Sequence, residues 1–449
     1  MKTPICDFVR RYADRATLRL HMPGHKGSGP LGIESLDITE IGGADSLFEA
    51  NGIIRESERN ASCLFGADTY YSTEGSSLAI RAMLALTVRY AKSQHKRPTV
   101  VAARNAHKVF LSAAALLDFK VLWLPTPSDA SYLSCQPTED SLSAFFASLS
   151  EPPTALYLTS PDYLGETADL SALAKVCHRF GVLLLVDNAH GAYLKFLSPS
   201  RHPIDLGADA CADSAHKTLT ALTGAAYLHL SHRAPIGFGE GAKEALALFA
   251  STSPSYLILQ SLDALNAFLS QEYPQMLSTF VQAAEQKKEH LKACGWYFYG
   301  NEPLKWTLCA KRYGYTGQEL AEILAQRNIV CEFSDPDYLV LMLAPALGLE
   351  GLEKICEALC AIPALPALSE RAPLPVSRTA ELSIRDAMLS ATETLPIEQS
   401  LGRILASPSV SCPPAVPILM CGERIDNIAL EAFAYYGIKH CTVVKNGAV

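Results

Sequence analysis

LSALAKVCHRFGVLLLVDNAHGAY (residues 170–193) is the stretch that decides the fold. LSALAKVCHRF carries a helical pattern, and Gly181 interrupts it. GVLLLVD (181–187) is then apolar residue after residue. A half-buried strand would alternate, so an unbroken run of this kind fits a strand covered on both faces. The run stops at Asp187. That puts a carboxylate at the carboxyl end of a strand, where open α/β sheets place their ligands.

The same kind of run recurs on either side. TVVAA (99–103), KVLWLP (120–125), TALYLTS (154–160), ADACADS (208–214) and AAYLHLS (225–231) read as strands. Helical stretches such as SSLAIRAMLALTVRYAKS (76–93) separate them. This alternation predicts an α/β large domain over 61–265, with a mostly parallel sheet and helices on both faces. Before it, residues 1–60 read as an irregular N-terminal arm punctuated by Gly and Pro (HMPGHKGSGP, IGGAD). After it, SYLILQSLDALNAFLS and MLSTFVQAAEQKKEHLKAC read as long helices. WYFYG, LKWTLCA, GQELAEILAQRN, YLVLMLAP and GLEKICEALCAI then predict a smaller α/β domain, with 266–365 as its bounds. PALPALSERAPLPVSR shifts the composition and marks a proline-rich joint at 366–377. Residues 378–449 make a C-terminal α+β domain.

Composition narrows the function classes. The chain has 449 residues, 49% of them hydrophobic, and a net charge of −8. That apolar share fills a sizeable core and excludes bulk disorder. The acidic balance argues against coating nucleic acid or an anionic membrane. No apolar stretch reaches the roughly 18 residues of a spanning helix. MKTPICDFVRRYADR has no secretory-signal pattern, so a cytoplasmic location is expected. The thirteen cysteines are odd in number and form no CxxC pair. Free thiols in a reducing compartment, mostly acting as small buried hydrophobes, fit better than a disulfide framework. Cys356 with Cys360, and Cys412 with Cys421, lack a second half at zinc-like spacing, so no metal site is expected.

Four short signals carry chemistry, and each has an ordinary alternative. Ser214-Ala215-His216-Lys217-Thr218 follows a predicted strand. A lysine there is a surface residue or, with its amine partly desolvated, a Schiff-base nucleophile. Asp187, followed by His190 and Gly191, caps the next turn or supplies a carboxylate to a cofactor's ring nitrogen. Glu74-Gly75-Ser76-Ser77 opens a helical run, as an ordinary cap or as a phosphate cradle of N–H groups and hydroxyls. Arg104-Asn105-Ala106-His107-Lys108 follows another strand, either as a polar loop or with His107 stacked on a flat ring.

Taken in order, these motifs resemble the fold-type-I pyridoxal phosphate enzymes, and among them the prokaryotic ornithine/lysine/arginine decarboxylase family. The resemblance spans nearly the whole chain: HMPGHKGS (21–28), FGADTYYSTEGSS (65–77), RNAHK (104–108), TSPDYLG (159–165), VDNAHGAYLKF (186–196), GADACADSAHKTLTALTGAAYLH (207–229), STSPSYLILQSLD (251–263), LGRILA (401–406) and CPPAVPILMCGERI (412–425). It implies that Lys217 holds pyridoxal phosphate as a Schiff base and that Asp187 pairs with the pyridine nitrogen. Ala189 would pack on one ring face and His107 on the other. Gly75, Ser76, Ser77, Ser214 and His216 would bind the phosphate, and His190 would serve as acid or base. His21, His25, Lys26, Tyr163 and Glu423 are further candidates for the substrate entrance. The implied activity is decarboxylation of lysine, ornithine or arginine by a homodimer or larger oligomer, with sites at the subunit interface. A same-fold aminotransferase or lyase, a decarboxylase of another amino acid, and a non-catalytic regulator are the alternatives.

The chain departs from the family pattern in places. Asn188 stands where Glu is usual, Ala215 where Thr is, and Glu74 where Asn is. Ala415 and Cys421 replace Gly and Pro. The N-terminal wing domain of larger members is not expected. Glu74 is the awkward change, because a carboxylate beside a phosphate repels it unless it points away.

Overall fold

The structure is a computed structural model and describes residues 1–15, 17–127, 131–408, 411–412 and 416–447. The chain divides into two compact units, Met1–Lys96 with Leu183–Ser278 and Arg97–Val182 with Thr279–Val449. The first eleven strands in chain order are β1 (Asp68–Ser72), β2 (Thr99–Ala102), β3 (Lys120–Trp123), β4 (Ala155–Thr159), β5 (Leu183–Asp187), β6 (Ala210–Asp213), β7 (Ala226–Leu230), β8 (Phe298–Tyr299), β9 (Lys305–Cys309), β10 (Phe333–Ser334) and β11 (Tyr338–Met342).

In the first unit β5 pairs with β6 in parallel, β6 with β7 antiparallel and β7 with β1 antiparallel. Every residue of β5, β6 and β7 is buried, as their unbroken apolar runs predict. β1 (DTYYS) has no such run and was not among the strands expected; its place comes from pairing with β7. Helices Gly75–Ser93, Tyr256–Gln271 and Ile53–Phe65 belong to this unit. Ser255 caps Tyr256–Gln271 by accepting from the Ile258 N–H.

The N-terminal arm is less irregular than its composition suggests. Helix Pro4–Ala13 opens it, and helix Ile53–Phe65 runs through its last residues. The buried carboxylate of Asp263 accepts from the Ile5 and Cys6 N–H groups at 2.9 and 3.0 Å and from Ser57 Oγ at 2.6 Å. These contacts supply the anion that a helix N-terminus favours. The partner lies more than 250 positions away, beyond reach of a local pattern. Asp45 likewise accepts from the Gly52 and Ile54 N–H groups at the start of Ile53–Phe65.

In the second unit β2 pairs in parallel with both β3 and β4. β8 to β11 form an antiparallel sheet ordered β10-β11-β9-β8, accompanied by helices Gly317–Ala325 and Gly348–Cys360. Thr316 and Glu319 form a capping box on Gly317–Ala325. No helix or strand occupies 363–380, the proline-rich stretch. Beyond it, strands Thr392–Pro396 and His440–Val444 pair antiparallel. Leu405, Ile418, Leu419, Ile425, Phe433 and Val443 are buried in the same core cluster.

Candidate active site

The groups expected to hold a cofactor fall mostly within the first unit. Lys217 sits in the short helix Ala215–Thr218, four positions after β6 ends. Its Nζ lies 3.1 Å from His190 Nε2. His190 is buried and follows β5 by three positions. Because β5 and β6 run parallel, with Asp187 opposite Ala212, both segments leave the sheet at the same end. Pairing therefore brings Lys217 to His190 across 27 positions of sequence. Asp187 is 3% exposed, and its Oδ1 accepts from the Ala189 N–H at 3.2 Å.

Ser76, Ser214 and His216 gather around the start of helix Gly75–Ser93. Ser214 Oγ donates to Ser76 Oγ at 2.8 Å. Gly75 has φ +72, and a Cβ there would stand 4.0 Å from His216 Cε1. The Gly75 N–H donates to the Gly224 carbonyl at 2.8 Å. Gly224 (φ +97) permits this approach, since a Cβ on it would lie 2.8 Å from the Thr73 carbonyl oxygen. The first turn of a nineteen-residue helix, two hydroxyls and an imidazole make a donor set suited to a phosphate. A buried carboxylate and a lysine–histidine pair complete the groups that pyridoxal phosphate needs, and the residues present fit it. Glu74 does not disturb this arrangement: it is exposed, and its Oε1 accepts from the Ser251 N–H at 2.8 Å.

Behind these residues lies a buried network that no local motif announces. Asp213, fully buried, accepts from Asn188 Nδ2 at 2.7 Å and faces His202 Nε2 at 3.0 Å and His229 Nε2 at 3.3 Å. Burial pushes the Asp213 carboxyl up, but His202, His229 and their hydrogen bonds outweigh it and hold the group well below the usual carboxylate range. Burial also lowers His229, against the pull of Asp213. The network accounts for Asn188, because a glutamate there would set a second carboxylate against Asp213. Ala215 is fully buried.

The remaining sequence candidates are placed as follows. His21 Nε2 lies 2.6 Å from Tyr12 Oη, and Lys26 Nζ donates to the His21 carbonyl. His25 Nδ1 accepts from the Gly27 N–H at 3.0 Å, leaving Nε2 to face Asp37 Oδ2 at 3.2 Å. These three belong to the first unit. Ser77 is part-buried in the first turn of Gly75–Ser93. In the second unit, His107 caps helix Lys108–Leu117, its Nδ1 accepting from the Val109 N–H at 3.1 Å. Tyr163 donates to Glu332 Oε1 at 2.9 Å. Glu423 is fully buried: Arg104 grips both its oxygens at 2.8 Å, and the Met420 N–H donates to Oε2. It ties the C-terminal segment to the loop after β2. Burial pushes the Cys421 thiol up to about 12, so it is a packing residue. Ala415 lies outside the described residues.

Comparison with known proteins agrees with the motif reading. The family model for the Orn/Lys/Arg decarboxylase major domain matches residues 3–308, and that for the C-terminal domain of the same enzymes matches 369–440. The fold and donor set are those of a fold-type-I pyridoxal phosphate enzyme, and the family match makes it an amino-acid decarboxylase. The chain belongs to the Orn/Lys/Arg decarboxylase family. It is 30% identical to the uncharacterized protein YaaO of Bacillus subtilis over 96% of this chain and 93% of that one. It is 28% identical to the arginine decarboxylase of the same organism, over 94% and 91%. The lysine decarboxylase of Francisella novicida shares the fold, with a TM-score of 0.79 at 16% identity over 99% of this chain and 81% of that one. Among the described residues, no helix is long and apolar enough to cross a membrane.

Proposed function

We propose that this chain decarboxylates arginine to agmatine in the cytoplasm, as a homodimer or larger assembly. The observation that carries the reading is the Lys217–His190 pair, set where β5 ends in Asp187 and β6 leads into Ser214. Likeness to arginine decarboxylases over nearly the full chain favours arginine among the basic amino acids. Twelve free cysteines among the described residues, seven of them buried, suit a reducing compartment.

Pyridoxal phosphate, when bound, supplies the electron sink that accepts the bonding pair as carbon dioxide leaves. Lys217 would hold the cofactor, and its amine would give way to the amine of the substrate. Asp187, buried and therefore weakly screened, would keep the ring nitrogen protonated. Gly75, Ser76, Ser77, Ser214 and His216 would hold the phosphate, and Ala189 would pack against the ring. Each turnover leaves Cα one proton short. Lys217 or His190 delivers that proton, and their mutual contact lets one recharge the other from solvent. His21, His25, Lys26 and Tyr163 contribute to substrate entry, with the 21–28 arm reaching a twofold-related subunit.

A panel of amino acids, assayed for carbon dioxide and with each product identified, tests the reading. Agmatine from arginine at the highest kcat/KM is the expected result. Preferred turnover of another amino acid overturns the substrate. Keto acid in place of carbon dioxide overturns the reaction.

A further inference from the structure

Among the described residues, one group of soft metal ligands lies on the surface of the second unit, within the 279–449 segment and apart from every residue assigned above. His290 stands in the last turn of helix Tyr273–Ala293, Cys294 follows that helix directly, and Cys360 is the last residue of helix Gly348–Cys360. All three are exposed. Cys294 Sγ lies 3.8 Å from Cys360 Sγ and 3.9 Å from His290 Nε2, and Cys360 Sγ lies 3.8 Å from the same Nε2. The three atoms form a nearly equilateral triangle.

The size of that triangle is informative. A tetrahedral zinc ion with Zn–S of about 2.3 Å and Zn–N of about 2.0–2.1 Å requires S···S edges of about 3.8 Å and S···N edges of about 3.6 Å. The observed edges match to within a few tenths of an ångström. A disulfide would need its sulfurs about 2.05 Å apart, far closer than these. Two thiolates and an imidazole are a borderline-soft donor set that selects zinc over magnesium or calcium. The two thiolates neutralise a divalent charge. Two helices end here, so the negative poles of both macrodipoles face the same point.

The support beneath the triangle is rigid. Trp296 and Tyr313, both buried, stack with ring centroids 3.7 Å apart. Tyr313 Oη donates to the Ile362 carbonyl at 3.1 Å, just past Cys360. Lys287 pairs with Glu353 between the same two helices. The ligands therefore stand on packed elements that need no rearrangement to receive an ion.

We propose that His290, Cys294 and Cys360 bind one zinc ion, with a water-filled fourth position facing solvent. The ion clips the end of Tyr273–Ala293 to the end of Gly348–Cys360. Each thiol loses its proton to solvent as its sulfur binds, so binding involves no change of oxidation state.

Reduced holoenzyme is stripped with a chelator, given zinc chloride and desalted, and its zinc is counted by mass spectrometry. Cys294→Ser, Cys360→Ser and His290→Asn are treated in parallel. The wild type is expected to retain one equivalent more than Cys294→Ser or Cys360→Ser, and His290→Asn to hold it at least tenfold more weakly. All three variants should keep wild-type decarboxylation, which also shows that they are folded. X-ray absorption of the zinc-loaded wild type should show two sulfur neighbours. Equal zinc in wild type and cysteine variants overturns the proposal. A one-sulfur shell also overturns it, because it would place the ion in the buried His202–Cys211–Asp213–His229 group. A Cys294–Cys360 disulfide in protein isolated under reducing conditions likewise overturns it.

Discussion

At the scale of single residues, the site rests on groups whose roles can be separated by substitution. Lys217→Ala would remove both the proposed attachment of the cofactor and one of the two proposed proton carriers. Turnover should fall by at least ~10³-fold, given that acid–base catalysis by one positioned group contributes roughly 10²–10⁴-fold. Near-wild-type carbon dioxide release by this variant would sink the assignment. Asp187→Ala would withdraw the buried charge proposed to face the ring nitrogen. With cofactor saturating, kcat should drop by about 10²–10³-fold, as for other preorganised electrostatic groups. Unchanged kcat under saturation would remove Asp187 from its role. The sequence singled out both as candidates because Asp187 closes an apolar run and Lys217 comes four positions after the end of the next strand. Asn188 was legible only as a departure. Its reason is Asp213, which lies 25 positions away and meets it only because β5 and β6 pair.

At the scale of elements, two buried carboxylates give opposing tests. Arg104 and Glu423 form a bidentate ion pair with exposures of 7% and 0%, joining the loop after β2 to the C-terminal segment. Glu423→Ala leaves the guanidinium buried and uncompensated and takes an acceptor from the Met420 N–H. A loss of about 3–5 kcal/mol is expected, the usual cost of breaking one side of a buried pair. A calorimetric melting point within error of wild type would show the pair to be dispensable.

Asp335 sits in the turn between β10 and β11, where its Oδ1 accepts from the Asp337 and Tyr338 N–H groups at 2.8 and 2.7 Å. Burial nonetheless pushes its carboxyl up to about 7. The unfolded chain releases this proton near pH 4, and the folded chain near 7. The unfolded state therefore binds fewer protons in that window, and the contribution of Asp335 to stability falls as pH rises. Asp335→Asn keeps the acceptor oxygen and cannot titrate. Its melting temperature relative to wild type should therefore rise between pH 5 and pH 8, and a flat difference would refute the shift. Neither the ion pair nor the raised carboxyl has a signature in its own segment. Arg104 and Glu423 are 319 positions apart, and the desolvation of Asp335 is a property of its surroundings.

At the scale of the whole molecule, the proposed arrangement would bring the 21–28 arm of one subunit to the entrance of another's site. Light scattering should report a dimer or a larger assembly at assay concentrations, and an active monomer would overturn that arrangement. The α/β class and most strands of the large sheet were legible in the sequence by itself, because burial on both faces writes itself into consecutive apolar residues; β1 and helix Pro4–Ala13 were not. The sequence also revealed the family, because short motifs at strand ends survive as contiguous text, and it singled out Lys217 and Asp187 as the residues proposed to meet the cofactor. It expected an irregular arm where Pro4–Ala13 is helical, since the carboxylate that holds that helix's first turn belongs to Asp263. Only the tertiary structure decided that Glu74 turns toward Ser251, that Asp213 gathers Asn188 and His202, that Glu423 is locked to Arg104, and that His290 and Cys294 meet Cys360. The physical reason is the same throughout. A hydrogen bond or ligand set is fixed by distance in space, and once the chain folds back on itself, spacing in sequence no longer records that distance.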